Sequence, residues 1–226
     1  MAIVGFDRVQ HLVRVPIRIG DREYRFLVDT GIGITVLSSS IAEHFTPTGE
    51  TYTGRRMSGQ EIEAPLVRLP RVALGDLTVA GHLAGVADLG DATGPHGFAG
   101  ILGPAFFEGY TVTTDPDAMT LTVQARDSFV ADGPEIPLDI RRESVSVDPF
   151  TQLVLPGGRE ITVEVDTGSD SLILDTAQAA PRVQFQEIIH DGLVGAAYLG
   201  RYRMTFDVSG SRLVLGARQS QAETEL

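Results

Sequence analysis

Along most of the chain, apolar and polar residues alternate in short runs, and these runs are broken by Gly, Pro and Asp. The wider spacing of an amphipathic helix is scarce, so the pattern predicts an all-β protein. Residues 13–19 alternate, Gly20-Asp21 supplies turn chemistry, and residues 24–28 return as a hairpin partner with Tyr24, Phe26 and Val28 on one face. Residues 34–37 read as another strand, and Ser38-Ser39-Ser40 is suited to cap a short helix over 41–45. A long hairpin is expected over 51–65, with its turn within 54–59, and a tighter one over 72–79. A Gly-rich loop at 90–100 leads into Ile101-Leu102-Gly103, a helical turn at 104–108, and a hairpin of 110–114 with 119–123 around Asp115-Pro116-Asp117. Residues 124–137 are polar, contain Asp132-Gly133-Pro134, and read as a linker.

After this stretch the pattern restarts. Arg159-Glu160 precedes Asp166 as Arg22-Glu23 precedes Asp29, and residues 192–199 mirror 100–107. In that register Tyr110 aligns with Tyr202, Thr113 with Thr205, Asp115 with Asp207 and Leu121 with Leu213. An internal repeat of this size predicts two homologous lobes, 1–126 and 127–226, with matching sites brought together by pseudo-two-fold packing. Asp29 and Gly103 are 74 positions apart, but Asp166 and Gly195 only 29. The second half therefore lacks the counterpart of the long hairpin, and a single flap is expected, from the first lobe.

Composition narrows the function classes. The 226 residues are 42% hydrophobic, enough for a sizeable core, and carry a net charge of −12. Such acidity disfavours nucleic acid and anionic membranes as partners. The chain has no cysteine, which excludes disulfides, thiol nucleophiles and zinc–thiolate sites. All the basic residues are Arg, which excludes lysine Schiff bases and the P-loop lysine and suggests a GC-rich, bacterial genome. No membrane helix or signal peptide is visible, so the expected location is cytoplasmic. The five histidines are scattered without metal-ligand spacing, and the glycines at 94–100 lack a Gly-Lys-Ser/Thr ending; no metal and no cofactor are expected.

The candidate chemistry lies in a tripeptide that occurs twice. Asp29-Thr30-Gly31 and Asp166-Thr167-Gly168-Ser169 each end an apolar strand-like run. One copy reads as a strand-to-turn junction. Two copies in matched contexts supply two carboxyls that can share one water, and like charges held close cannot both ionise easily. Asp115 and Asp207 also repeat, but at hairpin tips, where turn chemistry accounts for them.

Two Asp-Thr-Gly turns, each followed by an apolar-apolar-Gly segment (Ile101-Leu102-Gly103 and Leu193-Val194-Gly195), resemble the aspartic proteases over nearly the whole chain. The single-chain, two-lobed layout looks pepsin-like, while the small cysteine-free lobes look retropepsin-like. The resemblance implies the acid-protease fold: two β-barrel-like lobes with a cleft between them, active as a single chain on a peptide or protein substrate. It implies Asp29 and Asp166 as the catalytic pair, and Thr30 and Thr167 as braces between the turns. Gly31 and Gly168 would permit close backbone approach to the carboxyls. The flap would run over about 52–64, with Tyr52, Gly54, Met57 and Gly59 as flap and substrate-binding residues. Ser169 fits the family position after Asp-Thr-Gly, where a hydroxyl supports the neighbouring carboxylate, but Ile32 does not, so Asp29 is expected to hold the shared proton more than Asp166. Met57, Leu66, Val67 and Phe98 are candidate apolar walls, predicting apolar side chains beside the cut. Two alternatives remain open: a peptide-binding pseudoprotease of the same fold, and another carboxylate-pair hydrolase such as a glycosidase.

Overall fold

The computed structural model describes residues 1–90, 96–155, 157–175 and 184–218. The expected loop at 90–100 falls partly outside them, at 91–95. Three sheets organise these residues.

The first-lobe sheet is built on the hairpin Leu12–Ile19 and Arg22–Val28, whose alternation buries Val15, Ile17, Ile19 and Phe26. Gly100–Leu102 lies parallel to Arg22–Val28 and antiparallel to Thr35–Ser38. The second-lobe sheet has the same arrangement: Gly192–Val194 lies parallel to Glu160–Val165 and antiparallel to Leu172–Asp175. In both lobes the central short strand runs beside the strand that ends in Asp-Thr-Gly, so its own end meets the turn.

The third sheet joins the two halves in the order Ala2–Gly5, Thr120–Ala125, Tyr110–Asp115, Arg203–Asp207, Arg212–Gly216, Glu135–Pro137. At its centre Thr113 pairs with Thr205, and their buried hydroxyls are 2.8 Å apart. These are the residues that the two halves align with one another, and a two-fold relation requires such a self-pairing at its axis. Each half closes its core against its own share of this sheet: Val112, Leu121 and Val123 on one side, and Phe206, Leu213 and Leu215 on the other.

Several boundaries differ from the sequence pattern. The strand after the first turn is Thr35–Ser38 rather than 34–37. The following helix is Ser39–Ala42 rather than 41–45, because the Ser38 hydroxyl accepts from the Ser40 amide and starts the turn at once. The stretch 124–137 is not only a linker: Thr120–Ala125 extends into it, and Glu135–Pro137 forms an edge strand with Ile136 against the second core. A single apolar residue among polar ones is too little periodicity to reveal that strand, and Pro137 fits an edge because it has no amide to pair. The long hairpin is Thr46–Arg55 with Glu61–Arg68, longer than 51–65 because its register resumes across an irregularity between Pro47 and Thr51. Leu66 and Val67 are core residues, 4% and 5% exposed, rather than cleft walls.

The apolar-apolar-Gly segments have a steric reason. A Cβ on Gly103 would meet the Ile34 backbone, and one on Gly195 would meet the Ser169 and Ser171 carbonyls. Gly5, by contrast, faces open space. Gly103→Ala is expected to destabilise the protein by about 1–3 kcal/mol, with Gly5→Ala near neutral; thermal melts of the two variants test this, and equal melting temperatures would contradict it.

Candidate active site

Each Asp-Thr-Gly turn is pinned by the end of its neighbouring strand. The Asp29 amide donates to the Leu102 carbonyl at 3.1 Å, and the Asp166 amide to the Val194 carbonyl at 3.0 Å. The two turns then bind each other. The Thr30 amide donates to Thr167 Oγ1 at 3.0 Å, and the Thr167 amide to Thr30 Oγ1 at 3.0 Å. Thr30 Oγ1 also donates to the Val165 carbonyl at 2.6 Å. These bonds cross from one half of the chain to the other, and Thr30 is buried. A bond between rigid strand ends fixes the turns more tightly than loop contacts would.

The same bracing brings the carboxyls together. A side chain on Gly31 would collide with the Asp166 carboxyl, and one on Gly168 with the Asp29 carboxyl. Each carboxyl thus lies over the other turn's glycine, and the two acids confront each other closely enough that the charge of Asp166 raises Asp29. That contact removes the glycosidase reading, whose carboxyls sit about 5–9.5 Å apart.

Electrostatics separates the two acids. Burial and the neighbouring Asp166 charge push Asp29 up to about 7, against an ordinary 3.8. Burial raises Asp166 too, but amides oppose it: Gly168 donates to its Oδ1 at 2.8 Å and Ser169 at 3.1 Å. In the first turn Gly31 donates to Asp29 at 2.8 Å, and the Gly168 amide also favours its charged form. Burial and the Asp166 charge outweigh both amides, so Asp29 is the acid held more strongly in its protonated form. The sequence placed this asymmetry in the Ser169 hydroxyl; in the structure the Ser169 amide donates to Asp166, and the hydroxyl accepts from the Ser171 amide at 3.3 Å.

The long hairpin reaches the second half. Its tip is a turn in which the Gly59 amide donates to the Arg56 carbonyl at 2.8 Å, with Gly59 at φ +81°. The Ile189 amide donates to the Met57 carbonyl at 2.9 Å, and the Met57 side chain packs on Ile173, Ile188 and Leu193. Gly59 faces Ile189. Tyr52 lies along the hairpin over Gly54, where a Cβ would strike the phenol ring, and its hydroxyl bonds Ser146 beside Asp148. The hairpin thus bridges the two halves. The comparison region in the second half falls partly at 176–183, outside the described residues.

Sequence reasoning missed three features of this site. His11 Nε2 donates to the Gly168 carbonyl at 2.9 Å, and a protonated His11 favours the Asp166 carboxylate. Ser146 and Asp148, joined by a 2.7 Å bond, face Gly33 beside the first turn. Glu164 is buried two residues before Asp166. No periodicity marks His11 or Ser146, since both come to the site through the tertiary fold; Glu164 interrupts an otherwise apolar run and was a visible signal. Among the described residues no cluster of His, Asp and Glu has the arrangement of a metal site. Asp115 and Asp207 are hairpin residues: Asp115 Oδ1 accepts from the Asp117 and Ala118 amides, and Asp207 from the Gly210 amide and Arg212.

Residues 15–106 match a family model described as aspartyl protease. This span contains the first turn, the long hairpin and Gly103. No curated protein matches the chain. The crystal structure of an aspartic proteinase from Irpex lacteus superposes with a TM-score of 0.58 at 16% identity, covering 96% of this chain and 97% of that one. The fold is that of the aspartic proteases. In this acid-protease fold the second turn, beyond the matched span, is placed by the same strand arrangement as the first.

The raised acid has a consequence for stability. Asp29 holds its proton up to about pH 7 when folded but ionises near 3.8 when unfolded. Between these values the folded state binds more protons, so this contribution to stability is lost as pH rises through 7. Buried His82, pushed down to about 4, acts in the opposite sense at lower pH. Melting temperatures are therefore best compared with Asp29→Asn. The wild type is expected to lose stability relative to the variant between pH 5 and 8; a constant difference across that range would contradict the assignment.

Proposed function

We propose that the chain is an aspartic endopeptidase of retropepsin-like type, and that Asp29 and Asp166 perform the hydrolysis. The observation that carries this reading is the placement of each carboxyl over the opposite turn's glycine, with the turns braced by the crossed Thr30 and Thr167 bonds. A peptide carbonyl above the pair would meet a water held by both. Asp166 removes a proton from the water as its oxygen bonds the carbonyl carbon, and Asp29 gives its proton to the carbonyl oxygen. The tetrahedral diol then collapses: the C–N bond breaks, one hydroxyl proton returns to a carboxylate, and the leaving nitrogen is protonated. No covalent intermediate is needed. Both carboxyls belong to one chain, so one copy suffices, and we take 1–126 and 127–226 as the lobes, related by an internal repeat.

The flap residues Tyr52, Gly54, Met57 and Gly59 would close over the bound peptide. Tyr52 and Met57 already contact the second half, so entry requires the Met57–Ile189 bond to open. Peptide or protein is the proposed partner, with neither nucleic acid nor membrane, in a bacterial setting suggested by the absence of Lys and Asn, and with a cytoplasmic location. No helix among the described residues is long and apolar enough to cross a membrane.

Ile32, which lacks the hydroxyl of Ser169, supports a second reading, a peptide-binding pseudoprotease of the same fold. Incubating a broad peptide mixture at pH 3 to 7 separates the two. The protease reading expects cleavage by the wild type and a loss of at least about 100-fold in Asp29→Asn and in Asp166→Asn. Binding without cleavage, or equal cleavage by wild type and variants, would overturn it.

A further inference from the structure

Side chains two apart on a strand share a face, so Glu164 lies on the same face as Asp166. On the adjoining strand Phe150 pairs with Glu164, and Asp148 lies two residues further along the same face. Glu164 is 8% exposed, and its carboxyl is not among the buried polar groups left without a partner. The nearest cationic group is His190 Nε2 at 3.9 Å, and burial keeps that imidazole toward its neutral form. Arg141 is engaged elsewhere: its guanidinium lies 3.9 Å over the Phe150 ring and its Nε donates to Asp139 at 3.0 Å. Burial first, then the charges of Asp166, Asp148 and Asp29, raise the cost of charging Glu164, and Arg141 opposes them. The corresponding position before Asp29 is Leu27, an apolar residue.

Burial and the neighbouring acids hold the Glu164 carboxyl toward its protonated form, and a cation brought beside it would favour its charge. A strand position beside a reacting pair is also where a bound peptide passes. We propose, resting on the protease reading above, that Glu164 is a specificity determinant which receives a basic side chain, Arg or Lys, next to the bond held at Asp29 and Asp166. The guanidinium or ammonium would bring hydrogen-bond donors and positive charge to the carboxyl together. Asp148, which faces Gly33, and its partner Ser146 border the same acidic region. The apolar preference expected from the sequence then holds on the Leu27 side of the cleft and gives way to a basic one on the Glu164 side.

The test uses matched peptides carrying Arg, Lys, citrulline or norleucine at each position flanking the bond. Citrulline keeps the shape of arginine without its charge. The wild type is expected to favour Arg and Lys over citrulline at one position by about tenfold or more in kcat/KM. In Glu164→Gln that ratio falls toward one, and in Glu164→Leu norleucine becomes the preferred residue. Equal rates for Arg and citrulline in the wild type, or an unchanged ratio in Glu164→Gln, would overturn the proposal. Should the Glu164 variants fail to fold, affinities of the same peptides for Asp29→Asn carry the test: tighter Arg binding supports the subsite, and equal affinity overturns it. Preferential binding with no cleavage by the wild type sinks the protease reading and keeps the subsite. Cleavage without basic preference does the reverse.

Discussion

Two carboxyls held face to face, each against the other turn's glycine, constrain everything else in this molecule. Like charges at that separation cannot both ionise, so one proton must stay. Keeping the acids together against their repulsion requires that neither turn can retreat. The Thr30 and Thr167 bonds tie the turns to each other, the Leu102 and Val194 carbonyls tie each turn to its own sheet, and the Thr113–Thr205 pairing joins the two halves through a shared sheet. Gly31 and Gly168 are there because any side chain would occupy the space of the opposite carboxyl.

The scaffold is two-fold, but the chemistry it holds is not. Ser169 adds an amide to Asp166, while burial and the Asp166 charge raise Asp29, so Asp29 is the acid held more strongly protonated. The long hairpin comes from the first half and rests on Ile189 of the second. Leu27 and Glu164 occupy matching places in the two halves with opposite polarity.

Much of this was legible in the sequence because it is local or repeated. Alternation gave the hairpin at 13–28, and the doubled Asp-Thr-Gly with its apolar-apolar-Gly partner gave the pairing of Asp29 with Asp166. The 92-residue register already aligned Thr113 with Thr205, which the sheet pairs directly. What the sequence did not give depends on contacts between distant segments. His11 meets the Gly168 carbonyl across 157 positions. The edge strand Glu135–Pro137 rests on Ile136 alone among polar neighbours, and it forms because Arg212–Gly216 offers it a partner. Leu66 and Val67 looked available for a cleft wall because adjacent apolar residues do not reveal which face a strand buries; both are interior. The effect of Ser169 lies in its backbone amide, which every residue but proline possesses, so no residue type announces it.

The most direct measurement is a carboxyl-carbon NMR titration of protein labelled at aspartate, with Asp29→Asn and Asp166→Asn supplying the assignments. A shared proton predicts that the pair loses its two protons in separate steps, the second close to pH 7, with the macroscopic values belonging to the pair. Two independent ionisations near the ordinary 3.8 would mean that the carboxyls do not confront one another, and the account would be contradicted.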